Sequence, residues 1–569
     1  MQLRSILLEK GGFVLKKKWL LLFTFGLVLA LLLAGCTSKE SGGSSNEGDS
    51  KGGGGTAGGP VKISVFAPQD AEADLATNSF TKLVEEKFNI DFEWQTTTYD
   101  ATSAAEVRNI SLASGDYPDL YLLVPWVDQF SQTDLMKYGK QGVAIPLNDL
   151  IKEHAPNIQK VLDEHPYYAS MATAPDGNIY GLPQLNECYH CTYPNKYWIN
   201  NTWLEELGLE MPKTHEEFKS VLAAFKTQDP NGNGKEDEVP LSGQADIFHG
   251  SIMPFLMNGF IYDDAKTRLV LNNGKVDFVA NKDEWKQGLE YIHGLYESGL
   301  IDPGAFTQNG DAYQALGDNA DAQLLGVGAA MHPGMFVNTA GEYGPDYDAI
   351  PPLEGPNASF TTYDFPSYAG GTFVLTNKAS EEAQIAAIKM VDYMFTEEGQ
   401  LRAHFGEEDV SWRRPIEGDV ANQEGAEPIF FTIPAEEGAE PRNDNWGAMA
   451  QYYQPREFRD GWVTSMEIYE PAGYERRLQQ ASNMYEPKAP SQSNVFPHWA
   501  VWVDPNVSDE LSMMRTNIED YLEQNSMQFI TGDKDLDKDW DDYVKGFENL
   551  NLQRYLEIMQ ESYDNSNLN

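Results

Sequence analysis

Residues 229–238 read Asp-Pro-Asn-Gly-Asn-Gly-Lys-Glu-Asp-Glu, which places oxygen-bearing side chains at alternating positions on a glycine-bent loop. A hard cation such as calcium takes six to eight oxygens at about 2.4 Å, and a loop of this composition can wrap one. Asp229, Asn231, Asn233 and Gly234 begin like an EF-hand loop. Where that loop needs its twelfth-position Glu the chain has Pro240, and Asp237 and Glu238 come earlier, at the ninth and tenth positions. The other reading of these residues is a solvated Asn-Gly turn.

Cys188 and Cys191 lie in Glu-Cys-Tyr-His-Cys, and no second cysteine pair accompanies them. A structural zinc site is therefore disfavoured. A redox centre wants its cysteines at a helix N-terminus, which the flanking Tyr189, His190, Thr192 and Tyr193 do not suggest. A local disulfide or two plain thiols is the expectation. The sequence holds no Gly-x-Ser-x-Gly, no His-Glu-x-x-His and no phosphate-cradling Gly-x-x-x-x-Gly-Lys. With 87 acidic residues, two carboxylates spaced for glycoside hydrolysis remain open, so a secreted carbohydrate-active enzyme is the alternative to a binding protein.

The elements that must position these residues alternate between strand and helix. Val61–Phe66 alternates as a strand and stops near Pro68, and residues 90–94 and 120–124 give further strands. Apolar residues at 80, 83, 84 and 88 mark one amphipathic helix. Others are predicted over 214–225 with Thr214 as N-cap, over 282–299, and over 380–395 with Ser380 as cap. This alternation predicts an α/β protein with largely parallel sheets.

A basic stretch (Arg4, Lys10, Lys16, Lys17, Lys18) precedes the apolar run 19–33, and Leu-Ala-Gly-Cys closes it at Cys36. The run is too short for a comfortable membrane span of ~20 residues. It is similar to the lipobox of bacterial lipoproteins, which makes 1–36 a signal peptide and Cys36 the acylated residue. Residues 37–60 are almost wholly Gly, Ser, Thr and charged residues. They predict a flexible tether with a span of about 25–30 Å. The formal charge is −46, with 41 Lys and Arg against 87 Asp and Glu. Such a surface does not bind nucleic acid or an anionic bilayer through charge.

Further fragments fall in a specific order. They are Ser114-Gly115-Asp116-Tyr117-Pro118-Asp119-Leu120, Asp176-Gly177-Asn178-Ile179-Tyr180-Gly181-Leu182-Pro183, Tyr197-Trp198-Ile199-Asn200 and Leu207-Gly208-Leu209-Glu210-Met211-Pro212. Ser298-Gly299-Leu300-Ile301-Asp302-Pro303, Gly371-Thr372-Phe373-Val374-Leu375-Thr376 and Phe529-Ile530-Thr531-Gly532 follow. In this order they resemble the extracellular solute-binding proteins of family 1, especially its lipoprotein branch with alginate-oligosaccharide binders. The resemblance covers nearly all of the chain after residue 60. It implies a two-lobed, periplasmic-binding-protein-like α/β fold (type II) with hinge strands and a ligand cleft. Residues 61–185 and 368–420 would form one lobe, and 186–367 and 421–569 the other. It also implies a non-catalytic, monomeric receptor that captures an oligosaccharide by hinge closure and delivers it to the permease of an ABC importer. Its membrane contact would be through the lipid anchor alone, on the outer face of a Gram-positive cell membrane, with no nucleic acid partner. A carbohydrate co-receptor for a sensor kinase would share the cleft. Carried over from the alginate binders, Asp229, Asn231, Asn233, Asp237 and Glu238 hold a structural calcium ion (Ca2+) through side chains, and Lys235 through its carbonyl.

Sugars present C–H faces and hydroxyls, so their sites pair aromatic platforms with polar groups. In this family the cleft is lined by loops at the carboxyl ends of strands, which here offer Gln69 and Asp70, then Trp126 and Asp128. The second pair follows Pro118-Asp119-Leu120 as a stacking Trp and nearby Asp do in maltodextrin binders. His332 and Phe336, after the apolar run 326–331, are a further cleft segment. Trp412, Trp446 and Trp499 are additional platforms, and Tyr189 lies just past the first crossing between lobes. For each aromatic, a packed core position is the other reading.

Overall fold

Twenty-nine residues after the first strand begins, the chain has returned to pair with it, because a capped helix turns it around. In the computed structural model, which describes residues 59–569 apart from 72, 246, 247, 366, 436–438, 452, 567 and 569, β1 spans Val61–Pro68 and β2 Ile90–Thr97. The helix Ser79–Phe88 joins them, its start fixed by the Asn78 side chain accepting from the amides of Phe80 and Thr81. It stops at Asn89 in the left-handed conformation (φ 55°). The leader, Cys36 and nearly all of the tether lie outside the described residues.

β3 (Leu120–Leu122) and β4 (Leu182–Asn186) complete the first pass. The chain then crosses to β5 (Lys196–Asn200), β6 (Val239–Ser242), the hairpin β7 (Leu269–Asn272) and β8 (Lys275–Phe278), β9 (Leu325–Ala330) and β10 (Tyr347–Ala349). It returns through β11 (Ser367–Leu375), the ribbon β12 (Trp412–Arg413) and β13 (Phe431–Thr432), and β14 (Tyr453–Gln454). Two main sheets result, ordered β14-β4-β11-β3-β1-β2 and β10-β5-β9-β6. β1 runs parallel to both β2 and β3, and β6 runs parallel to β9. The strands that oppose them, β11 and β5, each follow a crossing between sheets.

Each sheet has its own core. Ile63, Val65 and Ala67 pack into one cluster while Phe66 packs into another on the opposite face, so β1 is covered on both sides. β2 is an edge, with Ile90 and Phe92 buried and Asp91 and Glu93 exposed. Asp119 ties the turn before β3 to β1 by accepting from the Ser64 amide (2.8 Å) and hydroxyl (2.7 Å). The second sheet is wrapped by helices that include His215–Thr227, Asp283–Glu297 and Ser508–Thr531. Thr214 and Glu217 form a capping box on the first of these, and Ser380 caps Glu381–Met394.

The sheets correct the expected lobe limits at one place. Residues 421–462 were expected with the second lobe, but β14 pairs with β4 of the first sheet. Trp446, Met449 and Ala450 pack in the first core, and Phe430 and Phe458 join Trp412 in a satellite cluster. The chain re-enters the second core with the helix Tyr474–Tyr485. Residues 495–503 then bridge the two, Phe496 and Val501 packing on the second core and Trp499 and Trp502 on the first-sheet side.

Candidate functional site

Because β1, β2 and β3 are parallel neighbours, their carboxyl ends share one edge, the usual place for a ligand in such sheets. Gln69 and Asp70 follow β1, Tyr99 follows β2, and Trp126 lies four residues beyond β3. Trp126 is 52% exposed, and its ring lies 5.9 Å from that of Tyr368 on β11. Tyr99 is also exposed. Burial and the Asp70 charge push its hydroxyl up, while a hydrogen bond with the Trp126 indole acts the other way. The edge thus offers three aromatic rings beside a carboxylate. Gln69 is turned toward its own loop, its Oε1 accepting from the Leu75 amide (3.4 Å).

Asp128, paired with Trp126 in the sequence reading, serves the loop and not the cleft. It is buried, and the Arg108 Nε donates to it at 2.8 Å. Burial raises its pKa, against the pull of Arg108. The guanidinium also lies 4.4 Å over the Phe130 ring, so this pair fixes the segment that carries Trp126.

The parallel strands β6 and β9 of the second sheet end in a polar cluster. Gln244 and His249 follow β6, and His332 follows β9 with its Nδ1 3.0 Å from the Tyr474 hydroxyl. Burial, then the neighbouring His190, His249 and Lys196, bring His332 down to about 4, so it is neutral at neutral pH. Burial works against the charge of Glu475, yet His190, Arg459 and His332 hold its carboxyl down to about 2. Glu475 lies 3.5 Å from His190 Nδ1 and 3.6 Å from Arg459 Nη2. Arg459 sits on the helix Arg456–Asp460 that follows β14, so this ion pair connects the two sheets. Buried Lys196 donates to the carbonyls of His190 (2.8 Å) and Tyr193, and burial lowers it to about 7.

The remaining sequence candidates divide. Tyr189 is buried below the Arg456 guanidinium (3.8 Å), with its hydroxyl donating to Glu486 (2.8 Å). Half-buried Trp499 stacks on Phe365 at 4.7 Å in the bridging segment. Phe336, Trp412 and Trp446 are core residues, as their contacts show. Phe336 is fully buried against Tyr313 and Tyr347. Trp412 donates to the Gly406 carbonyl (2.8 Å), and Trp446 to the Thr81 hydroxyl (2.8 Å). A stacking platform must present a ring face to solvent, and these three do not. Tyr99, Tyr368, Tyr474, Glu475, His190 and His249 went unrecognised in the sequence. Of these only Tyr99 carried a signal, as an aromatic just past a strand end.

The loop 229–238 joins the helix His215–Thr227 to β6. Gly232 and Gly234 take positive φ (67° and 75°), the bends that the glycine pattern requires. Asp229 accepts from the Gly234 amide (3.0 Å), and the Asn231 and Asn233 side chains donate to Asp237 (3.1 and 3.0 Å), which lowers the Asp237 pKa. Glu238 is the exception. Both of its carboxylate oxygens are buried with no hydrogen-bond partner, and burial, with the charges of Asp229 and Asp237, pushes its pKa up. An orphaned carboxylate beside the charges of Asp229 and Asp237, on a loop rich in side-chain oxygens, fits a hard divalent cation.

Cys188 and Cys191 are disulfide-bonded, with Cα atoms 5.2 Å apart. The expectation that the pair lies away from a helix start is corrected, since Cys188 is the N-cap of the single turn Tyr189–Thr192.

Two α/β sheets with separate cores, joined by crossing segments and each ending in a candidate half-site, define a two-lobed solute receptor. The family model for bacterial extracellular solute-binding proteins matches residues 73–401, and the chain belongs to that family. It is 32% identical over 562 residues to the fructooligosaccharide ABC transporter substrate-binding protein FusA of Streptococcus pneumoniae, covering 94% of this chain and 95% of that one. It is 24% identical to lipoprotein LipO of Bacillus subtilis, over 69% of this chain and 72% of the relative. The structure of FusA in complex with kestose superposes with a TM-score of 0.68 at 27% identity, covering 88% of this chain and 99% of that one. An EF-hand mutant of FusA with fructo-nystose gives 0.67 at 28% identity over the same shares.

Proposed function

We propose that this protein is a lipid-anchored extracellular receptor that binds an oligosaccharide of the fructooligosaccharide kind and delivers it to an ABC importer without turning it over. The observation that carries this reading is the edge formed by exposed Trp126 and Tyr99 and half-buried Tyr368 beside Asp70, at the joined carboxyl ends of β1–β3. Flat rings take the C–H faces of sugars, and the carboxylate accepts from hydroxyls. The His332–Tyr474–Glu475 cluster supplies donors and acceptors from the other lobe. The ligand favours the closed form through contacts that only the closed form completes.

Asp229, Asn231, Asn233, Asp237 and Glu238, with the Lys235 carbonyl, would hold a structural calcium ion. Bound there, the ion would neutralise the loop's carboxylate charges. The likeness to a relative studied as an EF-hand mutant supports this reading. Cys36 would carry the lipid, holding the receptor near its permease at high local concentration.

Calorimetry with kestose, nystose and a panel of unrelated oligosaccharides tests the proposal, with chromatography of the recovered sugar. One-to-one binding with unchanged sugar is the expected result. Released product would make the protein an enzyme, and tight binding of a peptide with no saccharide bound would end the sugar assignment.

A further inference from the structure

The segment 187–195, which crosses from β4 to β5, is tied to both lobes, and its only covalent cross-link lies in the middle of it. On the first-sheet side Glu187 donates its amide to the Gln454 carbonyl (2.9 Å), and its carboxylate accepts from the Arg456 amide (2.6 Å). The same Arg456 lies over Tyr189, whose hydroxyl reaches Glu486 on the second-lobe side. His190 pairs with Glu475, and its carbonyl takes the Lys196 ammonium. Cys188 is 2% exposed, whereas Cys191 is partly open to solvent. The His190 ring lies against Cys188 Sγ, with Nε2 at 3.4 Å and Nδ1 at 3.6 Å.

We propose that Cys188–Cys191 is a thiol–disulfide exchange site whose oxidation state sets the stiffness of this crossing and, through it, the affinity for ligand. The reductant is an extracellular dithiol. One of its thiolates attacks Sγ of Cys191, the more open of the two residues, and a mixed disulfide forms as the Cys188–Cys191 bond breaks. The electron pair leaves on Cys188 Sγ, where an imidazole N–H of His190 can donate to the thiolate before it takes a proton from solvent. The reductant's second thiolate then attacks its own sulfur in the mixed disulfide. That releases the oxidised cyclic reagent and a Cys191 thiol, two electrons and two protons having entered the protein. With the bridge open, residues 188–191 gain conformations that closure must remove again, so the reduced form binds more weakly.

The affinity part rests on the proposed saccharide reading, so the test has two arms. In the first, folded full-length protein is treated with dithiothreitol, trapped with N-ethylmaleimide and weighed, and hydrogen exchange is followed over 187–196. Two adducts on Cys188 and Cys191, with unchanged far-UV circular dichroism and faster exchange in that segment, are expected. Labelling only after denaturation overturns the exchange site. In the second, kestose is titrated into the oxidised form, the reduced form and the Cys188→Ser/Cys191→Ser variant. About fivefold weaker binding by the last two is expected, and equal affinity in all three overturns the coupling. If kestose binds none of them, the saccharide reading fails while the first arm still decides the exchange site.

Discussion

Replacing Glu238 with Gln removes a charge that is costly without a cation and needed with one, so the two conditions should respond with opposite sign. In the metal-free loop both Glu238 oxygens are buried without a partner beside Asp229 and Asp237. In chelator the Glu238→Gln variant should therefore be as stable as the parent or slightly more so. With calcium the parent gains RT ln(1 + [Ca]/Kd), about 2.7 kcal/mol at a hundredfold excess over Kd. Millimolar extracellular calcium over a site of about 10 μM affinity gives that excess. Roughly 500 ordered residues at about 2.1 cal/mol/K each make the unfolding entropy about 1 kcal/mol/K, so Tm should rise by about 2–3 °C. The variant should show less than a third of that rise. The pH dependence has a definite sign. A raised folded pKa means that the folded chain holds this proton more tightly than the unfolded chain does. In chelator the contribution of Glu238 is then most favourable at low pH and is lost as pH rises through its folded value. With calcium the trend reverses, because the ion needs the ionised carboxylate. Scanning calorimetry in calcium and in chelator, with metal analysis of the purified protein, measures all of this. An equal calcium response in parent and variant, or a parent with no bound calcium and no response, would refute the reasoning.

Trp126→Ala should weaken saccharide binding about 10- to 30-fold, a loss of about 1.4–2 kcal/mol, without changing the far-UV circular dichroism; calorimetry showing unchanged affinity would remove Trp126 from the site. Arg108→Ala strands the buried Asp128 charge and should cost about 3–5 kcal/mol in urea unfolding. The defect should shrink as pH falls and Asp128 takes up its proton, so a defect equal at pH 5 and pH 8 would contradict it. Cys36→Ser should shift the protein from the membrane fraction of expressing cells to the medium, and retention in the membrane fraction would count against the lipid anchor.

What could be read from the sequence was local. Helix starts were legible because capping is a short-range hydrogen bond, as Thr214 and Ser380 show. The glycine bends of the loop 229–238 were legible for the same reason, Gly232 and Gly234 taking the positive φ that the pattern implied. The return of residues 446–454 to the first sheet was not legible. It rests on buried glutamines, Gln451 donating to the Thr372 hydroxyl (2.7 Å) and Gln184 to the Ala448 carbonyl (3.3 Å). Polar residues of this kind read as loop in a linear sequence. The aromatic platforms divided along similar lines. Trp126 and Trp412 both read as platforms in the sequence, and packing in the cluster with Leu401, Phe430 and Phe458 buries the second. Asp128 was misassigned because its partner, Arg108, lies a helix and a strand away.

On the proposed reading, the two half-sites constrain how affinity arises. A receptor mostly open without ligand and mostly closed with it needs a ligand that prefers the closed form by about 5.5 kcal/mol, if the populations move from 1:99 to 99:1. The first lobe offers stacking surface of its own, since Trp126 is half exposed. Contacts with that edge alone are made equally in both states and shift nothing. The preference must come from the second lobe, where Glu475 stays ionised and His332 neutral across the physiological range. Hydrogen bonds to an ionised carboxylate are stronger than neutral ones, so Glu475 is the acceptor best able to reward closure. That acceptor is already engaged by Arg459 from the first-sheet side and by His190 from the crossing. A sugar hydroxyl that reaches Glu475 must therefore share it with the ion pair that links the lobes, so hinge position and ligand recognition meet at one carboxylate.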